Sequence, residues 1–406
     1  MAEEVEKITE DARKKSRNIA GKNFLKVLHA FQEANAGEYM LACSSGYGLH
    51  DPGREGLEMV CAKIFKAESS LLRIQLATGT HALACALFGI LRPGDLLANI
   101  TGVPYDTLRP VISGGEGSLE EWGVNYHEIP LGHDGRPDKN LISQNLPENT
   151  KMVLIQRTCG YHWRPGLGIN DIRELVKIVR GKIPSAIILV DNCYGELVEE
   201  EEPLEAGADL VAGSLIKNLG GAIAPGGGYL AGKKDFIQAA ASRLTAPGLG
   251  EEIGPMLHYA RTFMQGLFFS PIVIGQALEG VIWAACLFEK AGFEVMPKWN
   301  EHRTDIIQGI KLNSPELQAA FCKGIQKAGP MDSRAIPEPE IQPGYNDPIL
   351  MAGGTFIQGS SIELSADGPV RPPYAAYLQG GISASQVKLG ALLALDEINK
   401  IRHHLT

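Results

Sequence analysis

Apolar residues Ile8, Ala12, Ile19, Phe24, Val27, Leu28 and Phe31 recur at near-helical spacing among charges, which predicts a helical arm from about Glu6 to Ala34, ending near Gly37. Such a stripe needs a second surface to cover it. The Gly-rich segment at 44–55 reads as an exposed loop, followed by a helix from about Gly56 to Lys66. Short apolar runs then alternate with helical ones. The runs are Leu71 to Ala77, Leu96 to Ile100, Val124 to Ile129, Val153 to Gln156, Ala186 to Asp191 and Leu210 to Ala212; helices are expected from Thr80, around Asp106 and from Asn170. Near-continuous apolar strands separated by helices predict βαβ units, so the fold class is α/β: a three-layer domain around a mostly parallel sheet.

Beyond this core the pattern predicts a long helix from about Gly254 to Gly292, a helical stretch from Thr304 to Lys327 and a Pro-rich connection at 330–348. Two strand-like pieces around 349–365 and a final helix from Ala384 to Ile401 complete the chain. These form a smaller C-terminal α+β domain. The expected division is 1–58 for the arm and interface loop, 59–263 for the large domain and 264–406 for the small one. The run from Ser270 to Phe288 carries Pro271, Gln276 and Glu279 and is expected to be a buried core helix rather than a membrane span.

With 406 residues and 44% apolar composition, the chain can enclose a deep small-molecule site. Against 47 acidic residues stand only 38 Lys plus Arg, a net charge of −9 that disfavours nucleic acid or anionic lipid as partner. Seven cysteines (43, 61, 85, 159, 193, 286 and 322) contain no CxxC pair, and the N-terminus lacks the apolar stretch of a signal peptide. A cytoplasmic location is expected.

Several motifs fail a required position. Gly227 to Lys234 imitates a P-loop, but Lys234 stands where Ser or Thr must hold magnesium; hairpin turns account better for the glycines at 226–232. No HExxH occurs, and the tract Glu199 to Glu202 reads as a solvated acidic loop, so no metal site is assigned.

Three features survive, each at the end of an expected strand. Thr78-Gly79-Thr80-His81 opens a helix and offers backbone N–H groups to an anion, or is simple capping. Asp191 stands at the carboxyl mouth of a buried strand, where it either meets a cationic partner or caps a turn. Lys217, three residues after Ser214 and before Gly220-Gly221, is a candidate Schiff-base nucleophile if desolvated. Lys217 follows Asp191 by 26 positions (217 minus 191).

Cradle, acid and lysine in this order resemble the fold-type I pyridoxal-phosphate enzymes, and more closely their cystathionine/methionine gamma-lyase-like aluminium-resistance branch. The resemblance runs through GYGLHDPGRE, ATGTHAL, GVPYDTL, IQRTCGYHWRP, VDNCYGELVEEEEP, AGSLIKNLGG, APGGGYLAG and SSIELSADGPVRPPY, nearly the whole chain. SLIKN after VDNCYGE is its most specific part. It implies pyridoxal 5'-phosphate as cofactor, carried by Lys217, with Asp191 on the pyridine nitrogen and Gly79, Thr80 and Ser214 on the phosphate. It implies that Tyr105 stacks on the ring and shuttles a proton, and that Arg371 grips the substrate carboxylate, with Arg157 or Arg164 as alternative grips or ordinary strand-end and loop residues. The Tyr-x-Arg pair that reaches a neighbouring subunit's phosphate in better-known lyases is matched here only by Tyr47 and Arg54, seven apart, for which an ordinary loop role is the alternative.

The implied reaction is carbon-sulfur elimination on a sulfur amino acid of the cystathionine, cysteine or methionine kind, giving a 2-oxo acid, ammonia and a thiol. The same residues also serve an aminotransferase, and the branch's name raises a third reading, a metal-tolerance protein retaining the cofactor. A homodimer or homotetramer is implied, with the arm contributing.

Overall fold

The computed structural model describes residues 1–405. In chain order its elements are α1 (Ala2–Ile8), α2 (Glu10–Glu33), α3 (Pro52–Phe65), β1 (Ser69–Arg73), α4 (Gly79–Ile90), β2 (Leu96–Asn99), α5 (Arg109–Ile112), β3 (Asn125–Glu128) and α6 (Lys139–Asn145). There follow β4 (Met152–Gln156), α7 (Ile169–Lys182), β5 (Ile187–Asp191), β6 (Leu210–Ser214), β7 (Gly228–Gly232), α8 (Lys234–Leu244) and α9 (Tyr259–Lys290). The chain ends with β8 (Glu294–Met296), β9 (Gln308–Lys311), α10 (Pro315–Gln326), β10 (Ile349–Ala352), β11 (Ser365–Pro369), β12 (Ala375–Gln379) and α11 (Ala384–Leu405).

The large sheet has the order β1-β7-β6-β5-β4-β2-β3, and only β7 runs against its neighbours. β4, β5 and β6 are buried at every position, as a sheet covered by helices on both faces requires. Gln156 pairs with Asp191 and Asp191 with Ala212, which lines up the carboxyl ends of β4, β5 and β6 along one edge. The second sheet, β10-β11-β12-β9-β8, is antiparallel throughout. α9 links the two cores: Phe263, Ile274 and Leu278 pack with the large one, whereas Val281, Trp283 and Phe288 pack with the small one. This helix is long and apolar enough to span a membrane, but 83% of its apolar window is buried inside the protein. It runs unbroken across residues 263 and 264.

Several local expectations are corrected. Helix α3 starts at Pro52 inside the expected loop, because Asp51 accepts the Gly53 and Arg54 N–H groups at 2.9 and 3.1 Å and proline suits the first turn. The stretch 304–327 is not one helix. Strand β9 comes first, then Asn313 turns with φ +61° and Ser314 caps α10 through the Leu317 N–H. The glycines at 226–232 are not mainly a hairpin turn: Gly227 turns with φ +95°, but Gly228 to Gly232 form β7, where a Cβ at Gly232 would stand 2.3 Å from the Asp209 carbonyl. Asp106 lies in a turn ahead of the four-residue α5. The arm's stripe is covered within its own chain: Phe24 packs on Phe268 at 5.2 Å, and Arg17 bonds Glu279 of α9 at 2.7 Å.

Candidate active site

A cavity of about 220 Å³ opens at the carboxyl edge of the large sheet and is closed from the other side by the small one. Thr78, Gly79, Thr80, Tyr105, Asp191, Ser214 and Lys217 all line it. Strand ends supply Asp191 and Ser214, and the turn after β6 supplies Lys217.

The cradle forms as the first turn of α4. Thr78 Oγ1 accepts the His81 N–H at 3.0 Å, and the His81 ring accepts the Ala77 N–H at 3.1 Å, so His81 shapes the turn. A Cβ at Gly79 would meet Ser214 Cβ at 3.1 Å and Cys193 Sγ at 3.2 Å, which is why glycine belongs there. Tyr105 is positioned from β4: its N–H donates to Gln156 Oε1 at 2.9 Å, and its hydroxyl lies 3.1 Å from Thr80 Oγ1. Burial, and then the charges of Asp191 and Cys193, hold the Tyr105 phenol well above its ordinary pKa, so it keeps its proton.

Asp191 is 4% exposed, and burial raises its pKa; the Cys193 N–H, 3.2 Å from Oδ1, and the Lys217 charge work in the opposite direction. Lys217 Nζ lies 3.5 Å from the centre of the Tyr194 ring. Its neighbour Asn218 donates from Nδ2 to the carbonyls of Tyr194 and Glu196, both at 2.9 Å, and thereby ties the lysine turn to the segment after Asp191.

The donor set fits pyridoxal phosphate: a glycine cradle at a helix N-terminus with a serine for the phosphate, a buried carboxylate for a ring N–H, a phenol and a lysine. Among the described residues no three His, Cys, Asp or Glu side chains converge as a metal-ligand set.

Other expected residues lie elsewhere. Arg371 is beside the cavity rather than on its wall, 2.6 Å from Asp347 and 3.6 Å from Asp106, which does line the cavity. Arg157 does not line the cavity. It is fully buried, and its guanidinium is committed to Asn192 Oδ1 at 2.7 Å, the Gly195 carbonyl at 2.8 Å, the Leu167 carbonyl at 3.2 Å and Glu199 at 2.6 Å. Arg164 is likewise buried among the carbonyls of Gln156, Thr158 and Pro165. Arg54 is 1% exposed and donates to the carbonyls of Gly48, Glu252 and Gly254. Tyr47, 75% exposed, is outside the cavity of its own chain.

Residues not singled out from the sequence also form the wall, among them Asp106, Tyr161, Tyr194, Tyr345, Asp367 and Tyr377. Asp367 pairs with Tyr377 across β11 and β12, so both project from one face of the small sheet while Ala366, Ala376 and Leu378 enter its core. The alternation in SADGP was the available signal.

The methionine gamma-lyase family model matches residues 1–399. The Bacillus subtilis protein YnbB is 45% identical over 401 residues, covering 98% of this chain and 95% of its own. The crystal structure of a carbon-sulfur lyase involved in aluminum resistance from Clostridium novyi shows 47% identity and a TM-score of 0.93, covering 98% of this chain and 94% of that one. At the level of fold alone, the likeness extends to the pyridoxal-5'-phosphate-dependent protein YhfS of Escherichia coli, with 17% identity and a TM-score of 0.64 over 94% of this chain and 96% of that one.

Proposed function

The chain belongs to the methionine gamma-lyase family, and from that premise we propose that it is a pyridoxal-phosphate-dependent carbon-sulfur lyase acting on a sulfur amino acid. The observation that carries this reading is the convergence of Gly79, Thr80, Tyr105, Asp191, Ser214 and Lys217 on one cavity. Lys217 would hold the cofactor through Nζ, Gly79, Thr80 and Ser214 would hold its phosphate, Asp191 would accept the ring N–H, and Tyr105 would lie against the ring. When bound, the cofactor supplies an electron sink for the charge freed at the substrate Cα. The Lys217 amine would then serve as the base that takes the Cα proton. Tyr105, protonated because it is buried, gives its proton to the departing sulfur. Arg371 exchanges Asp347 for the substrate carboxylate. Water then releases a 2-oxo acid and ammonia from what remains of the substrate.

We include a homodimer or homotetramer in this reading, supported by exposed Tyr47, Leu49 and Leu249. The test is the visible spectrum of the purified, cofactor-loaded protein during addition of single sulfur amino acids, with thiol and 2-oxo acid assayed. Release of both supports the lyase. A cofactor band that converts to the amine form without thiol release would overturn it.

A further inference from the structure

Lys217 is the only Lys, Arg or His on the cavity wall among the described residues, and it faces three carboxylates, Asp106, Asp191 and Asp367. Asp106 has Arg371 close by, and under the proposed function Asp191 has the ring N–H. Asp367 is the surplus. It is 2% exposed and accepts hydrogen bonds on Oδ2 from Ser360 Oγ and from Gln379 Nε2 at 3.1 Å, and the Tyr161 side chain also hydrogen-bonds it.

Aromatic rings surround this carboxylate. Tyr161 packs 5.8 Å from Tyr345 and 5.6 Å from Tyr377, and Tyr194 already presents its face to one ammonium, that of Lys217. A buried carboxylate beside converging phenol rings is the chemistry that recognises an alkylammonium, by charge at one side and by ring faces at the others. A neutral thioether tail would leave the carboxylate without a cation in a water-poor site.

Resting on the lyase reading, we propose that Asp367 with Tyr161, Tyr345 and Tyr377 is the specificity subsite for the leaving arm of the substrate, and that the preferred substrates are thioether amino acids whose leaving arm ends in an ammonium group. Arg371 holds the α-carboxylate at one side and Asp367 the distal ammonium at the other, so both ends of the substrate are fixed.

S-(2-aminoethyl)-L-cysteine and S-propyl-L-cysteine test this, because they match in length and differ in a terminal ammonium against a methyl. For cofactor-loaded wild type and Asp367→Asn, kcat/KM for 2-oxo acid release is measured. The same comparison is made by calorimetric Kd in the turnover-blocked Lys217→Ala background, with pyridoxal phosphate kept in excess because this variant is not expected to retain it through desalting. The wild type is expected to prefer the aminoethyl compound by about 10-fold or more, and Asp367→Asn to lose about 30-fold toward it but under about 3-fold toward the propyl compound. Should Asp367→Asn not fold, Tyr345→Leu, on the connection before β10, is expected to lose about 3- to 10-fold toward the aminoethyl compound alone. Equal losses toward both compounds, or a preference that survives both substitutions, would overturn the subsite and mean that Asp367 serves only to balance Lys217. The two readings fail separately. A calorimetric preference without any 2-oxo acid overturns the lyase and keeps the subsite, whereas 2-oxo acid release without ammonium preference does the reverse.

Discussion

The Lys217 ammonium stands 3.5 Å from the centre of the Tyr194 ring, and Asn218, the next residue, donates to the Tyr194 carbonyl at 2.9 Å. One turn is therefore clamped to the other both through the side chain of the lysine and through its neighbour. Tyr194 takes a left-handed φ of +69° to present its ring, a backbone conformation that the Asn218 bond helps to hold.

For Lys217→Ala, the visible band of bound cofactor is expected to disappear on desalting, and 2-oxo acid release to fall by about 10³-fold or more, since both the attachment point and the Cα base are lost. A retained band with normal turnover would move the attachment to another amine.

Asn218→Ala removes the two bonds that tie the lysine turn to the carbonyls of Tyr194 and Glu196 without touching the cavity wall. Two buried carbonyls lose a donor, so cofactor affinity, titrated spectroscopically with the apoprotein, is expected to weaken by about 10-fold. Asn218→Asp keeps the shape but loses both N–H donors; affinity equal to wild type in that variant would refute the clamp.

Arg371 is paired with Asp347 at 2.6 Å, and that pair competes with a substrate carboxylate for the guanidinium. Asp347→Asn is expected to lower KM by up to about 5-fold with kcat unchanged, as for a partly exposed ion pair. Arg371→Ala is expected to raise KM by about 10- to 100-fold. Steady-state kinetics on the same substrate check both, and an unchanged KM in Arg371→Ala would remove the arginine from the site.

Glu196, buried, accepts the Tyr229 hydroxyl at 2.8 Å on Oε1, while its Oε2 has no partner. Burial pushes its pKa up to about 8 from an ordinary 4.5. Between these values the folded protein holds a proton that the unfolded chain releases, so this group's contribution to stability is fully present below about pH 4.5 and is lost as pH rises through about 8. Glu196→Gln, which cannot ionise, is expected to flatten that decline. Thermal melts at pH 5 and pH 9 check this; an equal fall in Tm in both proteins would exclude Glu196 as its source.

Much of the site was legible in local sequence because each group sits at a strand end or helix start and its chemistry depends on nearby backbone. Gly79 must lack a Cβ where the chain passes Ser214 and Cys193. Asp191 closes one buried strand and Lys217 lies in the turn after another, and the apolar runs of both strands are plain in the chain. The wrong helix at 304–327 shows the limit of that method. A four-residue strand beside a helix start carries too few positions for its period to register, and pairing with β8 and β12 decides its state.

By itself the sequence determined the alternation of elements, the resemblance to a family and the order of cradle, acid and lysine, since these depend on neighbours along the chain. Only the tertiary structure decided how deeply each arginine is buried and what it bonds. Arg157, Arg164 and Arg54 are buried and bonded to carbonyls and side chains from separate segments, whereas Arg371 is only half-buried and pairs with Asp347 at 2.6 Å and Asp106 at 3.6 Å. It alone also revealed Asp367, because a residue 150 positions from Lys217 (367 minus 217) reaches the cavity only when the small sheet closes over the large one. A side chain's type is local, but its burial and its partners are set by whatever folds against it.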